Sequence, residues 1–192
     1  MSDAINELKR ALLLFGTMAL ILGIIYPLAI TGISQVIFPS QANGEVVIVN
    51  GKIVGSELIG QNFTSPRYFH GRPSAVGYNA STSGGSNYGP TNVKLTDRVN
   101  ASINEIKTEN GLSANATVPA DLVLASGSGL DRYISVDSAE LQVPRIAKAR
   151  NLNESVIREL ITKNEEVPFP GIGQPVVNVL KLNIALDGIH YI

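Results

Sequence analysis

The chain has no cysteine. Disulfides, thiolate nucleophiles and cysteine-based zinc clusters are therefore excluded together, and packing alone must stabilise whatever folds. Net charge is nearly absent too. Fifteen Lys and Arg stand against 16 Asp and Glu, with no basic run. A nucleic-acid partner needs a positive patch, so nucleic acid is excluded as a partner. Histidine is scarce, with His70 and His190 only, and His190 is expected to fray at the C-terminus. No G-x-x-x-x-G-K-[ST] phosphate loop occurs, and no G-x-S-x-G surrounds a serine. The stretches Gly84-Gly85-Ser86-Asn87 and Ser126-Gly127-Ser128-Gly129 could offer backbone N–H groups to an anion. Turns and helix caps are the commoner use of such glycines. A hydrolytic site can be imagined from Ser128, His70 and Asp131, but a lone histidine in an aromatic loop is more often structural. These gaps point away from an enzyme, and no metal site or cofactor of its own is expected.

What the chain does have is a long apolar run. Ala11 to Ile33 carries no charge, and apolar character continues to Phe38. As a helix, Ala11 to Ile33 covers roughly 34 Å, enough for a hydrocarbon core of about 30 Å. A cleaved signal peptide, with Ser40-Gln41-Ala42 as its cleavage site, is the competing reading, but its apolar region would be shorter. Lys9 and Arg10 flank the run on one side, partly offset by Asp3 and Glu7; on the other, the first basic residue is Lys52. The positive-inside rule then puts 1–10 in the cytoplasm, 11–38 across the membrane and 39–192 outside. Gly16, Ala19 and Gly23 share one face and would let a partner helix approach closely, although such residues are also ordinary in lipid-facing helices. Pro27 should kink the span unless a local adjustment satisfies the freed carbonyl.

Outside the span, Glu45–Val49 and Lys52–Val54 read as strands joined by Asn50-Gly51, a pair suited to a type I′ hairpin. From Gly55 to Asn92 the composition shifts to Gly, Ser, Asn, Pro and Tyr. Phe63, Tyr68, Phe69, Tyr78 and Tyr88 give this stretch something to bury, which predicts an ordered functional loop rather than a linker. Arg67 and Arg72 bracket Tyr68-Phe69-His70, where stacking on aromatics serves internal packing as well as anion binding. A helix is predicted from Leu95, Val99, Ile103 and Ile106, capped by Thr91 or Asn92 and closed by Asn110-Gly111. Asp137 with Glu140 resembles a capping box for a helix toward Arg150, with Pro144 inside it. Asn153 caps a further helix, with Leu152 and Ile157 as its staple and Val156, Ile157, Leu160 and Ile161 as its buried face. Glu166 to Pro175 reads as a loop. Val176–Leu186 alternates from Leu180 onward and reads as a half-buried strand. The expected fold is α+β: one transmembrane helix, then one extracytoplasmic domain with a small sheet and about three helices. Five N-x-[ST] acceptors, at Asn62, Asn79, Asn100, Asn115 and Asn153, exceed the roughly two expected by chance.

Six segments in order, GSELIGQNF (55–63), YFHGRPSA (68–75), SGGSN (83–87), PADLVLASGSGLDRYIS (119–135), QVPRIAKARNL (142–152) and GQPVVNVLKLNIALD (173–187), carry a resemblance. The sequence resembles the C-subunit family of the Kdp potassium-transporting ATPases over nearly its whole length. Arg132 and Tyr133 depart from the Pro or Asn familiar after Leu130-Asp131, and the loop near Asn110–Thr117 is short. The resemblance implies a non-catalytic accessory subunit of a high-affinity potassium uptake complex, partnered by a channel-like subunit and a P-type ATPase subunit. It implies assembly and catalytic-chaperone roles, with ATP acting through the ATPase subunit and Gln142 linked to nucleotide contact. An outward domain could not touch cytoplasmic ATP directly and would have to act across the membrane. Expected partner contacts are Gly16, Ala19 and Gly23 in the span, and Arg72, Ser86, Asn87 and Tyr88 in the loop. The alternative is a membrane-anchored extracytoplasmic binding or envelope module unconnected with transport.

Overall fold

The computed structural model describes residues 2–168 and 172–189, so His190 lies outside the described residues. The chain divides into two units, Met1–Val46 and Val47–Ile192.

In the first unit the apolar run is helical from Asp3 to Ile37 with none of its most apolar stretch buried, as suits a single membrane span. Helix α1 (Ser2–Leu20) passes into a π-helical turn (Ile21–Ile25) and then α2 (Tyr26–Ile37). The π turn ends two residues before Pro27, and Tyr26 N–H reaches back five residues to Ile21 O. That is the local adjustment expected of a helix that must carry a proline lacking its own donor. A one-turn helix α3 (Pro39–Ala42) follows, and Asn43 and Gln35 exchange amide hydrogen bonds of 3.1 and 3.3 Å.

Strand β1 (Val46–Val49), which opens on the last residue of the first unit, and β2 (Lys52–Ser56) pair as the expected hairpin. Asn50 and Gly51 both have positive φ, 52° and 76°, as a type I′ turn requires. Residues 57–92 contain no helix or strand. Helix α4 (Val93–Glu109) starts on Asn92, whose side chain accepts from Lys94 N–H, and ends before Gly111 at φ 63°. Its predicted apolar face is only half-buried. After a single turn α5 (Ala120–Val123) comes β3 (Tyr133–Ser135), then α6 (Val136–Arg150), α7 (Glu154–Lys163), β4 (Glu165–Glu166), β5 (Val176–Asn178) and α8 (Val179–Gly188). The sheet is antiparallel in the order β3-β5-β4, with Ile134 opposite Val177. α6, α7 and α8 enclose the core with this sheet, around Ile134, Val143, Ile146, Ile157, Leu182 and Leu186.

The α+β architecture agrees with the sequence, while several local expectations need correcting. Residues 179–188 are a helix, not a strand, which raises the longer helices after the hairpin from about three to four among the described residues. Asn178 starts α8 by accepting from Leu180 and Lys181 N–H, and Val179, Leu182, Asn183 and Leu186 then form a buried helical face. The polar residues Lys181 and Asn183 imitate strand alternation in this short run. Ser135, rather than Asp137, caps α6: its Oγ accepts from Ser138 N–H at 3.1 Å, and the Asp121 carboxylate braces both serines. Pro144 sits inside α6 without ending it. On α7, Ile157 and Ile161 are buried as expected, but Val156 points outward.

Candidate functional site

The irregular stretch after the hairpin is anchored at Pro66–His70. A chain with no ladder must still satisfy its backbone groups once covered by protein. Here side chains of α6 and α8 do so. Phe69 N–H donates to Asn183 Oδ1 (2.8 Å) and Asn183 Nδ2 donates to Phe69 O (3.0 Å). His70 N–H donates to Gln142 Oε1 (2.8 Å) and Gln142 Nε2 donates to His70 O (3.2 Å). Each buried amide thus pairs with one residue as a neighbouring strand would. Arg145 donates to Pro66 O (2.6 Å) and Tyr68 O (3.1 Å), and Arg150 Nε donates to Arg67 O (2.7 Å). All five consecutive carbonyls are met by side chains, and Phe69 is wholly buried in the core.

Two further groups of contacts, made by Arg150 and by Arg145, lock the arrangement. Arg150 lies over the Tyr68 ring at 4.9 Å and donates to Asp187 at 2.6 Å, while Tyr68 Oη donates to the other Asp187 oxygen at 2.9 Å. Burial, then the Asp187 carboxylate, raises the Tyr68 pKa. Arg145 Nη2 donates to Gln142 Oε1 (2.7 Å) and its Nε to Asn110 Oδ1 (3.0 Å), so the same guanidinium ties the segment to the end of α4.

Beside the segment lies a polar cleft of about 420 Å³, walled by His70, Arg72, Tyr78 and Gln142 and, on α4, by Glu105 and Glu109. His70 Nε2 meets Ser65 O at 3.0 Å and its Nδ1 lies 3.5 Å from Glu109. Burial, then the Arg145 charge, lowers the His70 pKa against the pull of Glu109. Burial raises that of Tyr78, whose hydroxyl donates to Arg72 O. A second cleft of about 430 Å³ is mainly apolar and lies between the hairpin (Val49, Val54) and α8 (Leu180, Ile184).

The two glycine-rich stretches fill each other. Gly84 N–H and Ser83 Oγ donate to Ser128 O at 2.8 and 3.1 Å, and Gly129 N–H donates to Ser126 Oγ at 2.9 Å. A Cβ on Gly129, at φ 68°, would stand 2.7 Å from Gly84 O, so glycine is needed for this close approach. These donors serve the fold. Ser128, His70 and Asp131 are each engaged with different partners: Ser128 Oγ accepts from Leu130 N–H, and Asp131 pairs with Arg72 at 2.9 Å.

The family model for "KdpC: K+-transporting ATPase, c chain" matches residues 8–188. The chain belongs to the KdpC family. Relatives called "Potassium-transporting ATPase KdpC subunit" include those of Polaromonas naphthalenivorans (49% identical, covering 96% of this chain and 95% of the relative) and Caldanaerobacter subterraneus subsp. tengcongensis (48%, 94% of each). That of Bradyrhizobium diazoefficiens is 46% identical over 95% of this chain and 97% of the relative.

In this KdpC-family chain Gln142 is only 2% exposed, and its amide also donates to Ser138 O, so every donor and acceptor it has is engaged. Arg72 points to Asp131 and Leu124 O. Ser86 and Tyr88 gather around Arg98 of α4, through a 3.2 Å hydrogen bond and a ring contact at 5.8 Å. Asn87 between them adopts φ 53°. In the span Gly16, Ala19 and Gly23 are exposed, and a Cβ on either glycine would meet open space. Asn183, Arg145 and Arg150 were not singled out from the sequence. Their signal is polarity where an apolar residue is expected, as in Asn183 inside VVNVLKLNIAL.

Proposed function

We propose that this chain is the accessory, non-catalytic subunit of an ATP-driven potassium uptake complex. The match to the KdpC model over residues 8–188 carries the reading. Its partners are a channel-like potassium-binding subunit and a P-type ATPase subunit of the same complex, and the lipid membrane. The Lys9–Arg10 flank supports a cytoplasmic N-terminus and an extracytoplasmic domain. ATP then acts through the ATPase subunit, and this chain works as a chaperone that raises ATP affinity across the membrane. Gln142 serves that role by holding the Pro66–His70 segment in shape rather than by touching nucleotide, since its amide is already saturated. Arg72, Ser86, Asn87 and Tyr88 present the polar loop to the partners, and Gly16, Ala19 and Gly23 present the span.

Solubilisation of the membrane with mild detergent tests the reading. A tagged full-length chain should bring down large polytopic partners with potassium-stimulated ATPase activity, and removing this chain should abolish assembly or raise the ATP concentration needed for half-maximal turnover. Recovery of the chain alone would favour an envelope module instead. A cysteine at Ser86 should react with an impermeant maleimide in sealed cells; reaction only after lysis would reverse the orientation.

A further inference from the structure

The hairpin β1–β2 carries apolar side chains on both faces, and Lys52 shares one of them with Val49 and Val54. A two-residue loop at Asn50-Gly51 puts Val49 opposite Lys52 and Ile48 opposite Ile53, so the two isoleucines share the outer face. They are 62% and 73% exposed. On the other face Val49 and Val54 line the apolar cleft above α8. The other sheet of the domain behaves differently: its central contacts, Ile134 and Val177, are fully enclosed. An isolated two-stranded ribbon is marginal in water, and leaving two isoleucines exposed forgoes their burial energy. The hairpin is therefore built for an apolar surrounding.

Chain length says which one lies within reach. Helix α2 ends at Ile37 and β1 opens at Val46. Of the linking residues, Pro39–Ala42 form a helical turn. Gly44 N–H and Glu45 N–H fold back on Gln41 O and Ser40 O. At helical and extended rises such a link reaches at most about 25 Å. That reach bounds how far the hairpin can lie from the exit of the span, whatever the rest of the domain contacts. Lys52 sits beside the loop, exposed and outside every ion pair among the described residues, where its ammonium can rise to lipid phosphates while its stem lies on apolar surface.

We propose that the outer face of this hairpin, Ile48 and Ile53, rests in the headgroup boundary of the membrane crossed by the span, with Lys52 at phosphate level. The lipid surface is its partner, and the hairpin is a second, interfacial foothold that limits how far the domain can swing from the bilayer. This depends on the span alone and stands or falls apart from the transporter role.

The chain has no tryptophan, so one introduced indole reports on one position. The full-length Ile53→Trp and Ile48→Trp variants would be placed in phosphatidylcholine nanodiscs. Val93→Trp is the control, at an outward position on α4 that is 70% exposed. Shallow brominated acyl chains should quench the hairpin indoles at least two-fold more than the control, with emission shifted to the blue and acrylamide quenching reduced to match. Hairpin indoles that acrylamide reaches as readily as the control, with no bromolipid quenching, would overturn the proposal. So would indoles shielded from both quenchers only when polytopic partners are added, which would make the face a protein interface. Because both positions are exposed, the two variants give independent readings if either one disturbs the hairpin.

Discussion

Residues 66–70 and helix α4 invert the usual relation between regular structure and order. The helix is a well-capped run from Val93 to Glu109, yet none of its residues is fully buried. The irregular segment has no ladder at all, yet it inserts Phe69 into the core and has every carbonyl from 66 to 70 bound by a side chain. Regularity satisfies backbone groups cheaply, whereas burial sets how firmly an element is fixed. Here two amides and two guanidiniums replace a strand's neighbours, and the helix is left at the rim.

The largest test removes what the segment buries. Phe69→Ala should destabilise the domain by about 3–5 kcal/mol, a fall in Tm on the order of 10 °C by calorimetry. Gln142→Leu keeps the bulk but strands His70 N–H, His70 O and one Arg145 donor, for a cost of about 3 kcal/mol. Hydrogen exchange at Phe69 and His70 should then quicken far more than exchange in α7. If those amides stay protected, the amide clamp does not hold the segment. Ile103→Ala on the half-buried face of α4 should cost only about 1 kcal/mol; a loss equal to that of Phe69→Ala would erase the contrast.

The smallest effect is on pH. Burial and Arg145 hold the folded His70 pKa below the ordinary 6.5, so the folded state favours the neutral ring. Its contribution is complete above about pH 6.5 and declines as the unfolded chain binds a proton below that. Thermal stability should therefore fall between pH 7 and pH 5, and His70→Asn should flatten that part of the curve. An unchanged slope in the variant would move the acid sensitivity elsewhere.

How much of this could be read from the chain depended on whether one residue decides the outcome. Asn50-Gly51 announced its hairpin because few other pairs accept two positive φ angles. Asn92, one of two neighbouring residues able to cap α4, and Asn153 announced their helices because a cap is a local event, as the bonds to Lys94 and Ser155 N–H bear out. The clamp was not local. Gln142 and Asn183 bind residues 72 and 114 positions away, and no window along the chain contains both ends. The same distance hid α8: Asn183 is polar because Phe69 needs it, and that polarity made a buried helix imitate a strand. Gln142 was named by resemblance alone, without the His70 contact that explains its burial. Arg72, Ser86 and Tyr88 lie in the loop as expected, but their internal partners could not be read from composition.

The π turn at Ile21–Ile25 has a consequence for how the span can be tuned. Such a turn holds one residue more than an α-helix would need for the same stretch, and each residue is worth about 100° of rotation. In a plain α-helix one deletion would turn everything beyond it by that amount, but removing one of these five would let the turn close as an ordinary α-turn, with Tyr26 to Ile37 keeping nearly the same bearing and depth. The span therefore works like a shaft with a slack link in it, which takes up one residue of chain without turning what lies beyond.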